Sequence, residues 1–205
     1  MEHHVPSAGL IASKPLDLGH YDLFNHYMRI DGTPHLYFIQ GTPPTSQEDR
    51  WVCHIDPQSL HIERLFPMAW EPPRGTHLSV DSGVCLHDRS GEALVLGYQR
   101  SDARGLQEGG ALIVRRRLPD GRVLWVTSFD APVTALIAVP GRNAMSFALN
   151  NGLLGVISAA TGEIQLLRPA ALDGVASVYL SLAAMGDHIA AGTIDGRIVV
   201  GEVIG

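Results

Sequence analysis

The sequence predicts an all-β protein assembled from repeated antiparallel hairpins, and three observations carry that expectation. Short apolar runs alternate with Gly, Asn, Asp and Pro punctuation from Tyr21 to the end, and no segment of roughly ten or more residues shows a capped helical stripe. The stretch GDHIAAGTIDGRIVVGEV, residues 186 to 203, spells a small-residue strand, an Asp195-Gly196 turn and a β-branched strand, which is the strongest short-range hairpin signal. Finally, the apolar segments of the last third recur in the same order at a spacing of about 45 residues.

Taken in order, residues 1 to 19 mix Pro and Gly with one short apolar patch, Leu10-Ile11-Ala12, and read as an arm or a single strand. Tyr21 to Ile30 and His35 to Ile39 flank Asp31-Gly32 as a first hairpin. GTPPTSQED, residues 41 to 49, has adjacent prolines and reads as an exposed loop. Arg50 to Ile55 and Leu60 to Phe66 flank Asp56-Pro57-Gln58-Ser59, a turn with a preset φ, although Gln58 to Leu65 would also pass for a short helix. Pro67 to Gly75 is a proline-rich connection that takes the chain from one sheet to the next, with Trp70 capping an apolar edge. Thr76 to His87 alternates around Asp81-Ser82-Gly83, and Ala93 to Tyr98 follows the turn Asp88 to Glu92. SDARGLQEGG, residues 101 to 110, reads as the longest polar loop. Ala111 to Leu118 and Arg122 to Phe129 flank Pro119-Asp120-Gly121.

Beyond Ala131 the pattern is most regular. Val133 to Val139, Ala144 to Leu149, Leu153 to Ser158 and Glu163 to Leu167 are separated by Gly-bearing turns; Val178 to Ala184, His188 to Gly192 and Arg197 to Val203 repeat the order, with Val133 aligned on Val178. The segment at 186 to 203 is similar to a blade ending of the WD-repeat proteins, and VISAATGEIQLL, residues 156 to 167, resembles a turn of quinoprotein-like and WD-type blades. Gly201-Glu202 stands where the WD-repeat family carries Trp-Asp, so the resemblance is to a wider propeller superfamily. It implies a β-propeller-like array of about four antiparallel blades in one domain, near residues 20 to 67, 75 to 130, 131 to 170 and 175 to 205. The last blade is one strand short, and an N-terminal strand at Leu10-Ile11-Ala12 would complete it.

Composition narrows the function. The 205 residues carry a net charge of -6, and Lys14 is the only lysine. Nucleic-acid binding needs a basic stripe, whereas the one cluster, Arg115-Arg116-Arg117, alternates faces in a strand. No run reaches the roughly 20 apolar residues of a membrane span, and no secretory signal is evident. The expected compartment is therefore the cytoplasm, where the only cysteines, Cys53 and Cys85, read as two half-buried thiols.

No motif for a nucleophile, a phosphate loop or a metal is present, so no catalytic, cofactor or metal residue is assigned. Metal-ligand residue types crowd only at Cys53-His54 with His61 and at Cys85 with His87, the latter two on one strand face. The reading that follows is a non-enzymatic module binding another protein, such as a toxin or effector domain neutralised by an acidic immunity protein. Its contacts are expected at Gln47, Glu48, Asp49, Trp70, Asp102, Arg104 and Glu108. Two alternatives stand beside it. One is a hydrolase or lyase, which requires a pocket with convergent His and carboxylate groups. The other is an incomplete propeller subunit that closes its sheet edge on a partner.

Overall fold

The computed structural model describes residues 26–41, 50–71, 77–89, 91–169, 171–172, 175–185 and 188–202. Among them every regular element is a strand, and the hairpin punctuation sets the strand order. A first meander runs through β1 (His26–Asp31), β2 (Leu36–Gln40), β3 (Trp51–Ile55) and β4 (Ile62–Pro67). The Asp56 carboxylate accepts the Gln58 and Ser59 amides at 2.7 and 3.0 Å, a side-chain mimic of a backbone turn that reverses the chain and rules out the helix alternative over 58 to 65. The second meander comprises β5 (His77–Asp88), β6 (Gly91–Asp102), β7 (Gly105–Arg117) and β8 (Val123–Phe129). A third follows as β9 (Val133–Ala138), β10 (Ala144–Leu149), β11 (Leu153–Ser158) and β12 (Ile164–Pro169). After a ribbon of β13 (Ala171–Leu172) and β14 (Val175–Ala176), β15 (Tyr179–Met185), β16 (His188–Thr193) and β17 (Ile198–Glu202) form a three-stranded sheet.

Two sequence expectations need correction. SDARGLQEGG is not a loop: β6 and β7 run on through it, with Asp102 paired to Gly105 and only Ala103-Arg104 turning. Polar composition misled there, because a strand needs backbone partners and not apolar side chains on both faces. Nor are the first two meanders separate sheets. Arg29, Ile30 and Asp31 pair in parallel with Ser82, Gly83 and Val84, joining all eight strands in one sheet. Gly83 permits this approach, since a Cβ there would lie 2.3 Å from the Val95 carbonyl oxygen and 3.1 Å from Ile30.

The core is layered between meanders by strand alternation. On β6, Leu94, Leu96 and Tyr98 face the first meander beside Met28, Ile39 and Phe66, whereas Val95 faces the third beside Phe129, Met145 and Phe147. β7 alternates likewise, with Leu112 and Val114 on one side and Ala111 and Ile113 on the other. A smaller layer of Ala135, Ile137, Ala148, Tyr179, Leu182 and Ala191 holds the fourth meander on the third. The initial strands gather together: Thr134 on β9 donates to the carbonyl of Tyr179 on β15, 45 residues on, and Arg29 on β1 donates to Leu182 on β15 at 3.1 Å. The architecture is thus all-β and propeller-like. The expected arm at 1 to 19 and its Leu10-Ile11-Ala12 strand lie outside the described residues.

Candidate functional site

Residues directly opposite in an antiparallel pair bring their Cβ atoms within about 5 Å. The β3–β4 register sets His54 against Glu63, and the β2–β3 register sets Tyr37 against His54. Counting outward from the β5–β6 turn sets His87 against Glu92. Both imidazoles meet their carboxylates, His54 Nε2 to Glu63 Oε2 at 3.0 Å and His87 Nε2 to Glu92 Oε1 at 2.9 Å.

These pairs line one cleft of about 590 Å³ between the first two meanders. The β1–β2 turn contributes Thr33, Pro34 and His35, and the β7–β8 turn contributes Leu118 and Pro119. His35 stacks on His54 with ring centres 4.7 Å apart, and Tyr37 meets the same ring edge-on at 5.7 Å. His35 Nδ1 is shielded from solvent and has no hydrogen-bond partner among the described residues. Cys85 reaches the cleft from β5, as does His87, in keeping with the shared strand face expected of them.

Burial pushes the Cys85 thiol up to about 11, helped by the neighbouring Glu92 charge and partly offset by a hydrogen bond with Tyr37. Burial also raises the Tyr37 phenol, with further contributions from the Cys85 and Glu92 charges. At neutral pH both groups therefore keep their protons, and Cys85 is a poor nucleophile. The reactive polarity of the cleft resides in its two His–carboxylate pairs. Among the described residues no group of three or more His, Cys, Asp or Glu is arranged to hold a metal ion.

A second cleft, about 730 Å³, shares His87 as a wall. Arg89, Arg115 and Arg142 line it together with Asp88 and the Gly141-bearing turn between β9 and β10. Arg115 is buried there, donating to Asp88 Oδ2 at 2.6 Å and to the Ala159 carbonyl at 2.8 Å. Two neighbouring clefts thus carry opposite charge.

The expected contact residues that fall among the described residues line neither cleft. Gln47, Glu48 and Asp49 fall outside the described residues. Asp102, Arg104 and Glu108 are exposed around the tip of the β6–β7 hairpin, where the Asp102 carboxylate accepts the Arg104 amide at 2.7 Å. Trp70 is half-buried, packed edge-on against Tyr98 at 4.8 Å and donating to Glu71 at 3.1 Å, with Arg100 over its ring at 6.0 Å. Glu63 and Glu92 were not singled out from sequence. Counting outward from Asp56 to Ser59 would set His54 against His61; the observed reversal, with Leu60 at φ +58°, extends to His61 and puts Glu63 there instead, while the β5–β6 pairing runs on to Asp88 and Gly91 and brings Glu92 out opposite His87.

No family description matches the chain, and no curated protein does. Solved structures do. The chain is similar to Raptor of Chaetomium thermophilum, with TM-score 0.55 and 15% identity over 86% of this chain and 15% of that one. It is similar to Sqt1 of Saccharomyces cerevisiae, with TM-score 0.53 and 16% identity over 83% and 46%. BamB of Moraxella catarrhalis matches with TM-score 0.52 and 9% identity over 86% and 48%. The chain thus spans less than half the length of each of these three proteins. At such identities the likeness is one of backbone, and it establishes a propeller-like fold.

Proposed function

We propose that the chain is a non-enzymatic, cytoplasmic protein-binding module on a propeller-like scaffold. The observation that carries this reading is the outer edge of the last meander. β17 pairs only with β16 among the described residues, and its Ile198 and Val200 are 79% and 54% exposed. An open strand edge with apolar side chains is stabilised by adding a partner strand, which satisfies backbone groups and covers the side chains together. Edge strand β12 adds Ile164, Leu166 and Leu167, all exposed. The net charge of -6 favours a partner with a basic site, such as a toxin or effector domain held inactive by an acidic immunity protein. The exposed β6–β7 tip, with Asp102, Arg104 and Glu108, and the part-exposed Trp70 supply further contact surface.

The test is capture from the native host with the wild-type chain and with an Ile198→Lys, Val200→Lys variant. Both positions are exposed, so the variant is expected to fold. A protein retained at micromolar concentration by the wild type and lost from the variant supports the reading. Recovery of no such protein counts against it.

The cleft favours a second reading, a hydrolase or lyase. It contains the convergent His54–Glu63 and His87–Glu92 pairs that general acid–base chemistry requires. A hydrolytic or elimination activity abolished by both His54→Gln and His87→Gln would establish it.

A further inference from the structure

We infer that the cleft between the first two meanders is a receptor for a guanidinium group, the side chain of an arginine presented by the partner protein. The inference rests on the protein-binding reading for its source of arginine, and on the cleft alone for its chemistry.

The lining explains the choice. Two carboxylates, Glu63 and Glu92, face the space, and among the described residues no Lys or Arg lines it. Each carboxylate is held by an imidazole Nε2, which fixes one oxygen and leaves further acceptor capacity on the group. His35 Nδ1, shielded and without a partner among the described residues, is an acceptor in the tautomer that carries its proton on Nε2. The carboxylate oxygens not engaged by the imidazoles call for a ligand that is rich in N–H groups and positively charged. A guanidinium offers five donors in a planar fork, whereas an ammonium offers three from a point. The walls select the planar cation as well. They are aromatic, with His35 stacked on His54 and the buried Tyr37 edge-on to that ring, surroundings that suit a weakly hydrated guanidinium better than a strongly hydrated ammonium.

Length completes the fit. Pro34, Leu65, Leu118 and Pro119 give the cleft an apolar rim that would line the aliphatic stem of an incoming side chain while its head reaches the carboxylates. The neighbouring cleft, walled by Arg89, Arg115 and Arg142, repels the same cation and confines it to the first site. An acidic group has the opposite preference.

The experiment is a titration of the histidine ring resonances of the full chain by nuclear magnetic resonance, with N-acetyl-arginine amide as probe. N-acetyl-lysine amide and N-acetyl-aspartate amide serve as controls, and free arginine tests whether the site accepts the amino acid itself. Saturable shifts of the His35, His54 and His87 rings are expected with the arginine amide, smaller ones with lysine and none with aspartate. In the Glu63→Gln, Glu92→Gln variant the affinity for the arginine amide should fall by about fivefold or more, the scale of removing two part-exposed ion pairs. Both glutamates are more than half exposed, so the variant should melt at the wild-type temperature, which thermal unfolding checks. The inference is overturned if the arginine amide gives no saturable shift, or if the shift is unchanged in the variant. Tighter binding of free arginine than of its blocked amide would overturn the peptide source. The capture experiment with the β17 variant does not touch this cleft, so the two failures are separable.

Discussion

Arg115 and Arg116 are adjacent in sequence and both 3% exposed, yet they hold different neighbours because a strand sends successive side chains to opposite faces. Arg115 reaches the third meander at Ala159 and the β5–β6 turn at Asp88. Arg116 reaches the first, donating to the carbonyls of Pro67 at 3.1 Å and Met68 at 3.0 Å, to Tyr98 Oη at 3.2 Å and to its own turn at Gly121 at 2.6 Å. Its guanidinium also sits 4.4 Å from the Phe66 ring centre. The expected alternation of faces is therefore what consumes this apparent basic cluster. Replacing a buried ion by an apolar side chain can be neutral when its partners are replaced too, but here most of the partners are backbone carbonyls that no substitution removes. Arg116→Met should therefore cost on the order of 3 kcal/mol, read as a lower urea midpoint. A loss under about 0.5 kcal/mol would show that water takes over the acceptors at no net cost.

At the scale of elements, the hairpins with Gly-bearing tight turns were legible and the joints between meanders were not. Asp195-Gly196 is a turn with Gly196 at φ +83°, a conformation glycine adopts without strain. The Asp195 carboxylate pairs with Arg197 at 2.5 Å and accepts the Thr193 hydroxyl, and these two interactions hold its pKa down to about 2 from an ordinary 3.8. Because the folded-state value is depressed, the contribution is present above about pH 4 and is lost as the pH falls through about 2. Carboxyl titration followed by magnetic resonance should show this low midpoint, and Asp195→Asn should flatten the stability profile across that window. A midpoint near 4 would mean the turn stands without its carboxylate. The parallel joint of β1 to β5 had no comparable local signal, since it couples residues about fifty positions apart through the absence of one side chain at Gly83. The site was half legible for the same reason. Cys85 and His87 share a face by simple alternation, whereas bringing His35, His54 and His87 to one cleft required the packing of two meanders.

Across the whole molecule, the layers between meanders differ in what fills them, and that difference orders their stability. The layer between the first two contains Met28, Phe66, Met68, Leu94, Leu96 and Tyr98 at 1% exposure or less, reinforced by the Arg116 network. The layer beneath the fourth meander has three alanines among its six buried residues, so it removes less apolar area from water. Among the described residues its outer strand β17 has one neighbour, and two of its apolar side chains are largely exposed. Local opening free energy follows buried contacts and protected backbone bonds, so β15 to β17 should exchange amide hydrogen first and β6 and β7 last. Hydrogen exchange read by mass spectrometry on the isolated chain checks this order. Addition of the captured partner should then slow exchange in β16 and β17 more than in β6 and β7, because strand addition at the open edge protects the least stable meander. Equal exchange across all meanders in the free chain would mean that they open as one cooperative unit, with the small alanine-rich layer coupled as firmly as the large one.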